Sequence, residues 1–207
     1  MRRGVAAALV VAMSAPLGAQ AQEQATCDAR VRAIAAALDR DARRDEVWYW
    51  GWMTAGLALL GGQAALAAVT TGNAQKDFIA GAATSLFIPA VLVLQPPIAL
   101  RDAPLLDARI AETSLDGKLA DPCVVLPRAQ EILRRDAREQ AFNTAWFAHA
   151  FVIGGNIAVG LFLGLAFKDW AGGVKQAVGG SAVGELQILT IPTTALTARG
   201  LGWGGSF

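Results

Sequence analysis

Gly61-Gly62-Gln63-Ala64-Ala65-Leu66 is echoed by Gly154-Gly155-Asn156-Ile157-Ala158-Val159, and each copy lies inside a long apolar run. A glycine pair followed by a carboxamide, in a segment long enough to cross a bilayer, predicts close helix contact beside one polar side chain. Gly61, Gly62, Gly154 and Gly155 are thus the expected helix-packing positions. Gln63 and Asn156 are the expected polar ones.

Working outward, four apolar runs occupy 47–71, 78–100, 141–167 and 174–198. The first opens on Trp48-Tyr49-Trp50-Gly51-Trp52, amphipathic rings suited to a membrane interface. Composition agrees: the chain of 207 residues is 54% hydrophobic and 17% charged, with a mean hydropathy of +0.40. Soluble domains carry roughly 25% charge. A net charge of +1 gives no basic footprint and excludes nucleic acid as a partner. The runs are too long and too uniformly apolar for the alternating strands of a barrel.

The first two runs are separated only by Gly72-Asn73-Ala74-Gln75-Lys76-Asp77, and the last two by a turn holding Lys168-Asp169 and Gly172-Gly173. Turns this short predict antiparallel returns. Pro89 should kink the second run and Pro96-Pro97 should stop it. Ahead of the first run, Val31, Ile34, Leu38 and Ala42 fall on one stripe with Arg32, Asp39, Arg43 and Glu46 on other faces, the pattern of an amphipathic helix. Ile132, Leu133 and Ala137 mark a similar helix ahead of the third run, with Pro127 as its expected first residue. Between them, Asp102, Pro104, Asp116-Gly117 and Asp121-Pro122 should break the chain into short pieces.

The two halves align in order. Cys27 answers Cys123, Arg40-Asp41-Ala42-Arg43 answers Arg135-Asp136-Ala137-Arg138, and Lys76-Asp77 answers Lys168-Asp169. Shared order points to a tandem duplication. The expected fold is an all-α membrane protein with four transmembrane helices as two tandem helical hairpins, an amphipathic helix preceding each. Residues 1–21 read as a signal peptide, 22–100 as the first repeat, 101–122 as an extramembrane linker, 123–198 as the second repeat and 199–207 as a Gly-rich tail.

The signal-peptide reading rests on Arg2-Arg3, the apolar run from Val5 to Met13, the Pro16-Leu17-Gly18 break and Ala19-Gln20-Ala21. An uncleaved anchor helix is the alternative, opposed by the shortness of the run and by Pro16. The expected location is an inner, cytoplasmic-type membrane with the charged segments and both mature termini in the periplasm. There a disulfide between Cys27 and Cys123 is the preferred use of the two cysteines. The positive-inside rule points the other way, because most Lys and Arg lie in the segments assigned to the periplasm.

Chemistry inside the runs is confined to Gln63, His149, Asn156, Glu185 and Gln187 beside scattered hydroxyls. Glu185 is the costliest, at roughly 3 kcal/mol for a carboxylate near mid-helix. Its segment is weak, with Gly179-Gly180-Ser181 and Gly184 in place of large apolar side chains, so Gly180 and Gly184 join the expected packing positions. With Ala171 as the turn centre, Asn156 should lie level with Glu185 and His149 two turns above it. The functional alternatives are a polar path for protons or cations along Glu185, Asn156 and His149, or an interhelical tie in which these groups satisfy one another.

Hydrolase, zincin and phosphate-loop signatures do not occur in the sequence, and a single histidine forbids a multi-histidine metal site. No cofactor or metal is expected. The reading is a non-enzymatic structural or interaction component of a bacterial-type envelope, with the lipid bilayer, a second copy or an envelope protein as partners. A small proton- or cation-coupled channel or transporter is the competing class.

Overall fold

The structure is a computed structural model that describes the backbone of residues 4–115, 118, 119 and 121–192, and the side chains from 22 onward except at 115 and 118. It is helical almost throughout: α1 Gly4–Val69, α2 Gly72–Ser85, α3 Phe87–Leu94, α4 Ala99–Glu112, α5 Pro122–Asn143, α6 Trp146–Phe167 and α7 Trp170–Leu189. A two-residue antiparallel ladder pairs Ser114 with Leu119 and Leu115 with Lys118. The stretches Gln22–Val69, Gly72–Glu112 and Pro122–Phe167 are long and apolar enough to cross a membrane. α7 is not among them, because glycines, Lys175 and Glu185 dilute its apolar character.

Two compact units divide the chain, one formed by Met1–Arg40 with Arg101–Arg135, the other by Asp41–Leu100 with Asp136–Phe207. In the first, the Val31, Ile34 and Leu38 stripe of α1 is buried, as are Ala103 and Leu106 of α4 and Val125, Ala129 and Ile132 of α5. Spacings of three and four set one apolar stripe on each helix, and each large side chain removed from water contributes about 1.5–3 kcal/mol. Cys27 and Cys123 form a disulfide with Cα atoms 5.1 Å apart, as the sequence reading expected. Fully buried Asp102 accepts a forked pair of bonds from Arg135, Nη2 to Oδ1 at 2.6 Å and Nε to Oδ2 at 3.1 Å. The fork neutralises a charge that could not otherwise be buried.

That pair explains one correction. The expected breaks at Asp102 and Pro104 do not occur, and a continuous α4 runs from Ala99 to Glu112 through Pro104. Pro104 is exposed, and tertiary contacts at Asp102, Ala103 and Leu106 outweigh the backbone hydrogen bond it removes. Similarly α5 begins at Pro122 rather than Pro127. Pro122 takes the early helical position where a missing N–H costs little.

The second unit inverts the burial pattern. Leu57, Ile79, Phe87, Val93, Phe151, Phe162, Leu165 and Val178 are exposed, while Gly56, Gly81, Gly160, Gly164, Gly172 and Gly173 are buried. Small residues inside and large apolar ones outside is the arrangement of helices packed in lipid, where only close approach and polar ties hold neighbours together. α2 ends at Ser85 and α3 stops at Leu94, ahead of Pro96-Pro97. The interruption at Leu86 follows from Pro89, which has no N–H for the Ser85 carbonyl.

The signal-peptide reading of 1–21 rests on side chains outside the described residues, as do the Asp116-Gly117 break, the end of the fourth run beyond 192 and the 199–207 tail. The backbone of 4–21 belongs to α1, so the chain has no helix break at Pro16.

Candidate functional site

The site sits between α6 and α7, which pack closely on one another. Lys168 takes a left-handed conformation at φ 56° and closes α6. Asp169 then caps α7, its Oδ1 accepting from the Gly172 N–H at 2.9 Å. The turn is therefore centred near Lys168, about one helical turn earlier than Ala171. Displacing the centre by one turn displaces the opposing residue by two, so the partner of Glu185 is His149 rather than Asn156.

His149 Nδ1 and Glu185 Oε2 are 2.6 Å apart, with the two side chains 30% and 25% exposed. Such a contact holds a single proton between imidazole and carboxylate, whichever side carries it. Glu185 Oε1 is buried without a hydrogen-bond partner. Asn156 satisfies itself locally, donating from Nδ2 to the Val152 carbonyl at 2.8 Å. Its Oδ1 lies against Gly180, and Val152 lies against Gly184. Gly180 and Gly184 thus stand at close helix contact.

The paired glycines do not. A side chain at Gly61, Gly62, Gly154 or Gly155 would meet nothing within 4 Å. The contact face of α6 carries His149, Val152, Asn156, Gly160 and Leu163, and each helical residue turns about 100°, so Gly154 and Gly155 point away from it. The same rotation separates Gly61 and Gly62 from Gln63, whose carboxamide rests on Gly81 of α2. At the centre of the α6–α7 contact, Gly160 and Gly173 each stand against the other's carbonyl oxygen.

Gln63 belongs to the α1–α2 pairing and is not brought to Glu185; its Oε1 is buried and unpartnered. At the turn, Gln75 Nε2 donates to the Ala67 carbonyl at 3.1 Å, satisfying one of the open carbonyls at the end of α1. The reversal itself is tighter than the sequence suggested, with α2 starting at Gly72, whose φ of +69° only glycine adopts without strain. At the other end of these helices Trp48 and Trp52 donate to Thr190 Oγ1 at 3.2 and 3.0 Å.

Sequence reasoning used Asp77 and Asp169 only as repeat anchors, yet their carboxyl groups meet. Asp77 lies over Gly172, the residue whose N–H Asp169 caps. One turn or two further on, Gln176 Nε2 donates to Thr84 Oγ1 at 2.9 Å. The signal for Asp169 was readable as an acidic N-cap ahead of Gly172-Gly173, but nothing local pointed to Asp77 as its neighbour. Among the described residues no group of three or more His, Cys, Asp or Glu side chains converges as metal ligands would. The chain matches no protein-family model, no curated protein and no solved structure.

Proposed function

We propose that the chain is a non-enzymatic structural or interaction protein of a bacterial-type envelope membrane. The observation that carries this reading is the His149–Glu185 contact: the costliest intramembrane group is partnered on the facing helix and ties α7 to α6. Asn156, the next polar group along α6, is satisfied within its own helix and offers no onward relay. Four spans arranged as two tandem hairpins accommodate these facts, with α7 carried across by its glycine contacts with α6. Duplication is supported where corresponding residues meet: Cys27 with Cys123, Asp77 with Asp169, and Thr84 with Gln176, the last two pairs at one common separation of 92. Residues lying on a two-fold axis meet their own equivalents in this way.

The orientation proposed is a cleaved signal, disulfide and charged helices on the periplasmic side, and hairpin turns on the cytoplasmic side. Alkaline phosphatase fused after Phe207 should be active, and fluorescence of a cytoplasm-only reporter there overturns it. For the function, affinity purification of the full chain from membranes should recover a stoichiometric envelope protein or a second copy.

One observation favours the second reading, a proton- or cation-coupled path: Glu185 Oε1 is buried without a partner. The two readings differ at Glu185→Gln. A tie tolerates the amide, with stability changed by no more than about 1 kcal/mol, because the hydrogen bond survives and a buried charge is removed. A transport path instead requires pH-dependent flux in reconstituted vesicles that the substitution abolishes.

A further inference from the structure

Beyond any partner-binding role, we infer that Asp77 and Asp169 hold one proton between them as a latch joining α2 to α7, released when the surrounding pH rises. Asp169 is 8% exposed, and its Oδ2 is buried with no donor within reach. Asp77 presents Oδ1 in the same condition. Two carboxyls brought together at Gly172, each with a buried oxygen that no donor reaches, are poorly able to be ionised at once, since like charges in a poorly solvated site repel strongly. A proton on either carboxyl makes it a donor and satisfies the other.

The site is built to hold this arrangement. Asp169 is fixed by the Gly172 N–H bonded to its other oxygen. Asp77 fits only because residue 172 has no side chain: a Cβ there would stand 2.6 Å from Asp77 Cγ. Burial first, then the neighbouring Asp169, push the Asp77 carboxyl above its ordinary value, while Lys175 on α7 opposes them. Lys76, the cation nearest in sequence, is turned elsewhere, donating to Asn73 Oδ1 at 3.3 Å and standing 5.0 Å over the Phe167 ring. Lys168, at the end of α6, is exposed. Loss of the proton to water leaves two carboxylates near the starts of α2 and α7, with the Gln176–Thr84 bond still tying the two helices farther along.

The test uses the full chain, disulfide intact, in lipid nanodiscs. An infrared band of protonated carboxyls should persist at pH 6, part of it from Asp45, and Asp77→Asn and Asp169→Asn should each lower it by the same one-carboxyl share, because either change leaves a lone acid. Asparagine at 169 keeps the capping oxygen. The thermal midpoint of the wild type should fall between pH 5 and 8 by an amount that either substitution reduces equally and that the double substitution reduces no further. Additive effects of the two single changes would overturn the latch, showing two independent carboxyls. So would a midpoint at pH 8 raised by millimolar Ca2+ or Mg2+ in the wild type but not in Asp77→Asn, which would identify a cation clamp. If Asp169→Asn fails to fold, the infrared comparison of wild type with Asp77→Asn decides alone: a band of unchanged intensity there overturns the proposal.

Discussion

The unit built from Met1–Arg40 and Arg101–Arg135 buries leucine, isoleucine and valine, whereas the unit built from Asp41–Leu100 and Asp136–Phe207 buries glycines beside a few large side chains such as Leu92 and Leu163 and leaves many of its leucines and phenylalanines exposed. The two interiors thus differ in kind. In the first, burial of apolar area drives packing, and the charge of Asp102 is held by a fork with Arg135 and by Arg101 Nε at 3.6 Å. Where lipid is the surroundings, an exposed Phe151 costs nothing, and cohesion has to come from backbone approach at Gly160 and Gly173 and from polar ties such as His149–Glu185. Interior composition, rather than total hydrophobicity, separates the two.

The contrast breaks most readily at the glycine contacts. Gly160→Val should destabilise the second unit by about 3 kcal/mol or abolish the α6–α7 hairpin, because the new side chain meets the Gly173 carbonyl, and backbone cannot yield as a flexible side chain does. Gly154→Val, in the same helix but facing open space, should change stability by less than about 0.5 kcal/mol. Resistance to denaturation by sodium dodecyl sulfate, titrated against mild detergent, measures both. Equal effects at 154 and 160 would mean that the contact face of α6 has been wrongly identified.

That pair of positions also marks the limit of what sequence can say. Apolar runs, short turns, the disulfide and the amide positions were legible, because each depends on composition or on a local signal. Which side of a helix meets its neighbour was not: Gly154, Gly155 and Asn156 are consecutive yet point about 100° apart, and no local rule ranks two glycines against one amide. The partner of Glu185 was missed for a related reason. Lys168 adopts a left-handed conformation usually left to glycine, so the reversal comes before Gly172-Gly173 and the register moves from Asn156 to His149. Asp102 was read as part of a breaking segment because its partner, Arg135, is far along the chain, and only folding brings the two together.

Asp102→Asn sharpens the other half of the contrast. Removing the charge breaks the fork between Arg135 and its buried acceptor. The Arg135 side chain is 39% exposed, so water can partly recover it. The cost should accordingly be about 2 kcal/mol, below the 3–5 kcal/mol of a fully buried broken pair. A denaturant titration of the disulfide-intact chain, following the first unit, provides the value. Little or no loss would place Asp102 among surface charges and remove the argument that water-type burial organises this unit.

A pH-dependent effect concerns Asp45, which precedes the first apolar run. Burial, with Asp41 and then Glu139 beside it, pushes its carboxyl from the ordinary 3.8 up to about 7. The folded state therefore binds this proton more tightly than the unfolded chain does. Stability from this group is complete at pH values below the unfolded value, declines as pH rises from there through the folded value, and is level beyond it. Asp45→Asn removes the charge and keeps the shape, so the variant should match the wild type near pH 4 and exceed its thermal midpoint at pH 8. A difference between the two that does not vary with pH would show that Asp45 is solvated. The helix leading into the apolar run would then follow the rules of water up to its last charged residue, rather than giving them up at Asp45.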